Sequence, residues 1–419
     1  MRHHLRAGHL TACLQLCLAL TLFSCHKNIS TPATSTPLDL PTNSTAVTNA
    51  ANEFAFTLFH STLKTEPSGP NMLISPLSVY MALSMTYNGA AGATRDSMAL
   101  TLQQSGIPIS QLNAVNQALI TQLPKEDSKV QLSIANSIFY SNKGSQPAPA
   151  FLDSTKTNYL GAMQALDFSQ SAASLSTINS WVAKNTKNKI PTILDQLDPY
   201  TVMVLVNAIY FNAPWLNAFK PAQTRTMPFT LAGGSTVSTP FMNQEANIRS
   251  WFGPTFTLAE LPYSTGKGFA MYLVLPNDPA RSITDFAASF KVDSLADAYS
   301  RLDSSFVSIS LPKWEYSYSI ANMKNELKTL GMGIAFEDAD FSKMYPTTTV
   351  SLSQVAHKTY IKVSEEGTEA AAATAVTVVE TSMPMVRAIK ADHPFLYVIA
   401  ERQTGAVLFV GIVTNPSIN

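Results

Sequence analysis

Residues 365–379 read Glu365-Glu366-Gly367-Thr368-Glu369-Ala370-Ala371-Ala372-Ala373-Thr374-Ala375-Val376-Thr377-Val378-Val379 and send two messages at once. Ala is the best helix former, whereas Val-Thr-Val-Val favours a strand. One reading is an Ala-rich helix with Thr368 as its N-cap. The other is a segment of small side chains that can stand as an exposed loop and also slide into a sheet.

The rest of the chain sets the scale. Its 419 residues suffice for one large domain or two to three ordinary ones, and 46% hydrophobic residues supply an ample core. Lys+Arg and Asp+Glu both number 28, so the formal charge is zero, and charged residues make up 13%. That is about half the usual share. With neither a basic stripe nor an acidic block, the composition points away from nucleic acid.

Arg2 and Arg6 precede an apolar run from Leu10 to Phe23. The run is shorter than the roughly 20 residues of a membrane-spanning helix and fits a signal peptide over residues 1–24. It ends in Leu22-Phe23-Ser24-Cys25, which looks like a bacterial lipoprotein cleavage site with Cys25 lipidated. The lipid would be the chain's only hold on a membrane, at the bacterial cell envelope, periplasmic or surface-exposed. Cys13 and Cys17 would leave with the signal, so no intrachain disulfide and no thiolate metal site is expected. Residues 25–49 are rich in Ser, Thr, Pro and Asn and are expected to form a flexible tether. Residues 50–419 then form one continuous domain.

Local signals fill that domain. Ser75 can cap a helix that opens on Pro76, with Leu77, Met81 and Met85 at four-residue spacing and Asn88-Gly89 as a left-handed stop. A second helix is expected from Thr94. Strands are expected over Leu132 to Tyr140, Val202 to Phe211, Phe269 to Leu275, Phe306 to Leu311 and Tyr360 to Val363. Phe395 to Ala400 and Val407 to Val413 read as a hairpin. Helices early and strands later, without regular alternation, predict an α+β fold.

Catalytic motifs are scarce. Ser61-Thr62-Leu63-Lys64 matches the S-x-x-K of penicillin-interacting serine enzymes, and Tyr140-Ser141-Asn142 could stand as a second element. The Lys-Thr-Gly element that would complete the set is absent. An envelope serine hydrolase using Ser61 and Lys64 is therefore an alternative carried by a short match. His26, His60, His357 and His393 lack ligand spacing, so neither a metal nor another cofactor is expected.

Several stretches, in order, resemble one family. They are Asn71 to Ser78, Ile178 to Val182 with Lys189-Ile190-Pro191, Leu205 to Phe211 with Trp215 and Phe219, Glu260 to Tyr263, and Leu273 to Pro276. Leu330-Gly331-Met332 with Ala339 to Ser342, His357-Lys358, the opening stretch, and Asp392 to Phe395 complete the series. Together they resemble the serpins, the serine-protease inhibitor family, across Ala50 to Pro416. The resemblance implies three β-sheets, about eight or nine helices and a reactive loop over about residues 365–390. It implies no enzyme but a monomeric suicide-substrate inhibitor, in which a protease cuts the loop and the cut loop inserts into a sheet.

The resemblance also implies roles. Glu365, Glu366, Gly367, Thr368, Glu369 and Ala370, Ala371, Ala372 and Ala373 would form the hinge. Ser75, Ser78, Asn207 and His357 would form a polar cluster where the sheet parts, and Trp215 would mark where insertion begins. The family's hinge-to-bond spacing, counted from Glu365, lands on Thr381 followed by Ser382; counted back from Pro394 it points nearer Met383. Val379, Glu380, Met385 and Arg387 are further alternatives. The partner would be a serine protease with a small apolar pocket, elastase- or subtilisin-like, held as a covalent acyl complex, with cysteine proteases a second class. A serpin that acts only as binder or chaperone is the competing reading within the family. Strand alternation would turn Thr368, Ala370, Ala372, Thr374, Val376 and Val378 inward, all small or apolar.

Overall fold

The computed structural model describes residues 34–65, 71–369 and 386–418. Among them run nine α-helices: α1 (Ser44–Thr65), α2 (Pro76–Tyr87), α3 (Gly92–Thr101), α4 (Ile109–Gln122), α5 (Pro149–Tyr159), α6 (Ser171–Asn185), α7 (Ile283–Ser289), α8 (Val292–Ser300) and α9 (Lys324–Leu327). One sheet has the strand order β10 (Trp314–Ile320), β11 (Gln354–Ser364), β12 (Gly367–Thr368), β4 (Met203–Pro214), β2 (Gln131–Ser141) and β3 (Ala162–Leu166). The other runs β1 (Met72–Ile74), β15 (Val407–Val413), β14 (Phe395–Glu401), β8 (Phe269–Pro276), β7 (Phe256–Pro262), β6 (Thr236–Phe252), β9 (Asp303–Pro312) and β13 (Arg387–Lys390). In it, β5 (Arg225–Thr230) pairs with the start of β6.

The expected α+β class is the observed one. The three expected sheets form two hydrogen-bonded networks because β6 serves two groups of strands. Its first part pairs with β5 and β9, and its last three residues pair with β7. Counting that long strand in both groups recovers three sheets.

Every residue of α2 is buried, which suits a helix enclosed on all sides rather than one with a single apolar stripe. It packs on β15 on one side and on β2 and β4 on the other, so it lies between the sheets. The Ser75 side chain caps nothing here, because its hydroxyl donates instead to the Leu408 carbonyl at 2.8 Å. Nor do Asn88 and Gly89 make a left-handed stop; Asn88 keeps right-handed helical backbone (φ −61°). Gly89 matters for space, since a Cβ there would meet Met344 at 2.7 Å.

The expected tether is folded from Thr34 onward. The Leu38 N–H donates to the Gln403 side chain and the Gln403 amide returns a bond to the Leu38 carbonyl, both at 2.9 Å. Gln122 makes the same two-way contact with Asp39, and α1 begins at Ser44, before Ala50. Leu38 and Val47 also enter the hydrophobic core, so apolar burial joins the two Gln amides in tying this segment to the body.

Candidate functional site

The site is a seam in the six-stranded sheet. β11 and β4 run parallel and pair directly only from Gln354↔Val204 to Lys358↔Ala208. Further along, β12 stands between them, antiparallel to both: Thr368 lies opposite Val363 on one side and Ala213 on the other. Two hinge residues are therefore already strand. Between Lys358 and Val363 on one wall, and Ala208 and Ala213 on the other, the two strands form no ladder with each other.

Gly367 makes this entry sterically feasible. Its φ is +151°, and a Cβ would lie 2.2 Å from the Ala213 carbonyl oxygen and 2.7 Å from Pro214 Cα. Both are backbone atoms that cannot swing aside, so only glycine fits. Thr368 points inward, 2% exposed, with its hydroxyl 2.6 Å from the Tyr263 hydroxyl. It thus faces the core as strand alternation required, and it is not a helix N-cap.

Trp215 holds the chain on its way in. The indole stacks on Tyr263 (centroids 4.6 Å apart, planes at 9°), and its N–H donates to the Ser364 carbonyl at 3.0 Å. Backbone N–H groups of Trp215 and Phe219 donate to the Glu366 and Glu365 carbonyls, each at 2.9 Å. The Glu365 carboxylate takes the Lys313 ammonium at 2.8 Å and the Thr224 hydroxyl at 2.7 Å. Burial pushes this carboxyl's pKa up, but those two donors outweigh it and hold it below the usual value.

At the paired end of the seam the polar cluster assembles. The Ser75 N–H donates to His357 Nε2 at 3.0 Å, and Nδ1 lies 3.1 Å from Asn207 Oδ1. Since Nε2 must accept, the proton sits on Nδ1 and is donated to Asn207. The Asn207 amide then donates to Ser78 Oγ and, at 2.8 Å, to Asn136 Oδ1. All five residues are buried. Complete burial drops the His357 pKa from 6.5 to about 3, so the ring is neutral.

Asn136, Tyr263, Lys313 and Thr224 belong to the site although the sequence reading gave them no role. Asn136 carried a signal, as a carboxamide in the middle of an apolar strand. Lys313 and Thr224 carried none, because only the fold brings them to Glu365. Residues Ala370 to Ala373, the bond candidates Val379, Glu380, Thr381, Ser382, Met383 and Met385, and Cys25 lie outside the described residues. Arg387 does not sit in an open loop: it opens β13 opposite Val307, its guanidinium 4.9 Å from the Phe252 ring centre.

Ser61 and Lys64 form no hydrolase site. The Ser61 hydroxyl is buried and donates to the Glu326 carbonyl at 3.0 Å, while Lys64 is exposed in the last turn of α1. A hydroxyl closed off in the core is not a nucleophile within reach of substrate.

Comparison with known proteins agrees with this geometry. The family model described as "Serpin (serine protease inhibitor)" matches residues 49–416. A serpin-like protein of Thermococcus kodakarensis is 32% identical over 375 residues, covering 88% of this chain and 86% of its own. The leukocyte elastase inhibitor of Xenopus laevis is 32% identical over 381 residues, covering 88% and 99%. The crystal structure of tengpin, a thermophilic serpin in its native state, superposes with a TM-score of 0.82 at 30% identity, covering 92% of this chain and 100% of that one. With the family model spanning nearly the whole described body, the chain belongs to the serpin family.

Proposed function

We propose that this protein inhibits serine endopeptidases as a suicide substrate, with elastase- or subtilisin-like enzymes as targets. The observation that carries this reading is the seam: two parallel strands held apart, with Gly367 and Thr368 of the loop already paired between them. The protease serine attacks the loop carbonyl, the new amino terminus leaves with a proton, and an acyl ester joins the two proteins. The freed chain then continues into the seam as a strand and carries the ester-linked protease along before water can cleave the ester. Insertion must outrun that hydrolysis, and Ala370 to Ala373 offer little steric resistance. Val379-Glu380-Thr381-Ser382 suits a small apolar pocket, in line with the elastase inhibitor among the relatives.

Incubation with elastase and subtilisin tests this on denaturing gels. The parent chain should give an SDS-stable adduct, whereas Thr368→Arg should be cut at the same bond and released, because a guanidinium cannot occupy the buried place beside Tyr263. A parent that is cut without adduct, or an Arg variant that traps as well as the parent, would sink the reading.

The inhibitor is further proposed to sit on the bacterial cell envelope through lipid on Cys25, supported by Ser24-Cys25 closing the apolar run that starts at Leu10. Cys25→Ala should abolish lipid labelling and membrane fractionation. Unchanged fractionation and mass would rule the anchor out.

A further inference from the structure

Glu369 is the last hinge residue among the described ones, and its contacts are specific. The Glu369 N–H donates to the Lys362 carbonyl at 2.8 Å, which continues the β11 register by one residue. There the backbone turns left-handed, with φ +55° on a residue that is not glycine. Such a conformation is uncommon for a residue with a side chain and needs support from its surroundings. Two contacts give it: the Asn212 amide donates to the Glu369 carbonyl, and the Glu369 carboxylate pairs with the Lys189 ammonium. The carboxylate side chain is 8% exposed and that of Lys189 39%.

Lys189 reaches in from the segment that follows α6. That segment crosses the outer face of the sheet at the open part of the seam. Lys187 lies 5.5 Å from the centre of the Tyr210 ring on β4, and Lys189 lies 5.3 Å from that of Tyr360 on β11. The Lys358 ammonium donates to the Thr192 carbonyl at 2.7 Å. Continued in its present register, the entering strand would bring Ala371 between Tyr210 and Tyr360, beneath these lysines. To get there Glu369 must rotate from its left-handed turn to extended backbone, which breaks the present geometry of its contacts with Asn212 and Lys189.

Building on the inhibitory reading above, we propose that Lys189 and Glu369 form a gate on strand insertion. Their ion pair holds the hinge with three residues in register, and its opening admits Ala370 and the chain behind it. Lys189 is thus a positioning residue for trapping, acting through Glu369 and touching no protease.

The test follows insertion apart from trapping. The full chain is cut in its loop by an excess of thermolysin, a metalloprotease that forms no acyl-enzyme, and insertion is timed by the fluorescence of Trp215 beside the hinge. Lys189→Ala and Glu369→Gln should each insert faster by about twofold to fivefold, the size of effect carried by an ion pair with one half-exposed partner. Added salt should speed the parent and leave both variants unchanged. The double exchange Lys189→Glu with Glu369→Lys should return to the slow, salt-sensitive rate. Single variants that insert at the parental rate, or an exchange variant as fast as the singles, would overturn the gate. A cut parent that never inserts would overturn the inhibitory reading instead, whatever the variants do.

Discussion

Gly367 and His357 constrain the seam from its two ends. At Gly367 the limit is steric, since any Cβ would run into the Ala213 carbonyl. At His357 it is electrostatic: Nε2 already accepts the Ser75 N–H, so a protonated ring would lose that bond and bury an unpaired charge. The folded chain takes up this proton only near pH 3, whereas the unfolded chain does so at the ordinary value of 6.5. Above pH 6.5 neither state carries it and the effect vanishes. Between the two values the unfolded state binds more protons, so stability falls as pH drops, by up to about 1.4 kcal/mol per unit. His357→Gln, which offers a carboxamide that cannot titrate, should have a flatter profile of thermal stability between pH 6 and 4. Parallel profiles for parent and variant would show that His357 does not titrate as its burial requires.

Among the elements, those whose partners are near in sequence or whose pattern is strong were legible. The hairpin expected over Phe395 to Ala400 and Val407 to Val413 is β14 and β15, and the run from Leu132 to Tyr140 lies within β2. β10 was missed despite a clear alternation, with Trp314, Tyr316, Tyr318 and Ile320 all turned inward. β6 was harder, because its polar stretch around Asn243 to Asn247 is only partly buried and gives no apolar pattern. β12 was expected as strand only on insertion, through the alternation that turns Thr368 inward. Gly-Thr is a strand only because β11 and β4 stand apart to receive it. The polar cluster at His357 was found through resemblance, while its member Asn136 and the donors to Glu365 needed the fold. Ahead of the Ala run, which lies outside the described residues, Thr368 is strand and Glu369 turns left-handed.

Across the molecule, the two halves of the seam are covered differently. Where β11 and β4 pair, Val204, Val206, Ala208 and Ala356 lie in an apolar cluster with Ile178 and Val182 of α6. Where they part, the same face carries Tyr210, Asn212, Tyr360 and Lys362, under Lys187 and Lys189. Keeping the lower half shut is therefore favoured by apolar burial, and opening the upper half breaks polar contacts that water can replace. Filling that half adds ladder hydrogen bonds and buried apolar surface, at about 25 cal/mol per Å² of the latter. The cut loop is proposed to fill that half. Hydrogen–deuterium exchange read by mass spectrometry on Ile209 to Asn212 and Thr359 to Lys362, before and after cleavage within residues 379–383, tests it most directly. Both walls should become strongly protected once the loop is cut. Exchange that stays as fast in the cut chain as in the intact one would contradict it.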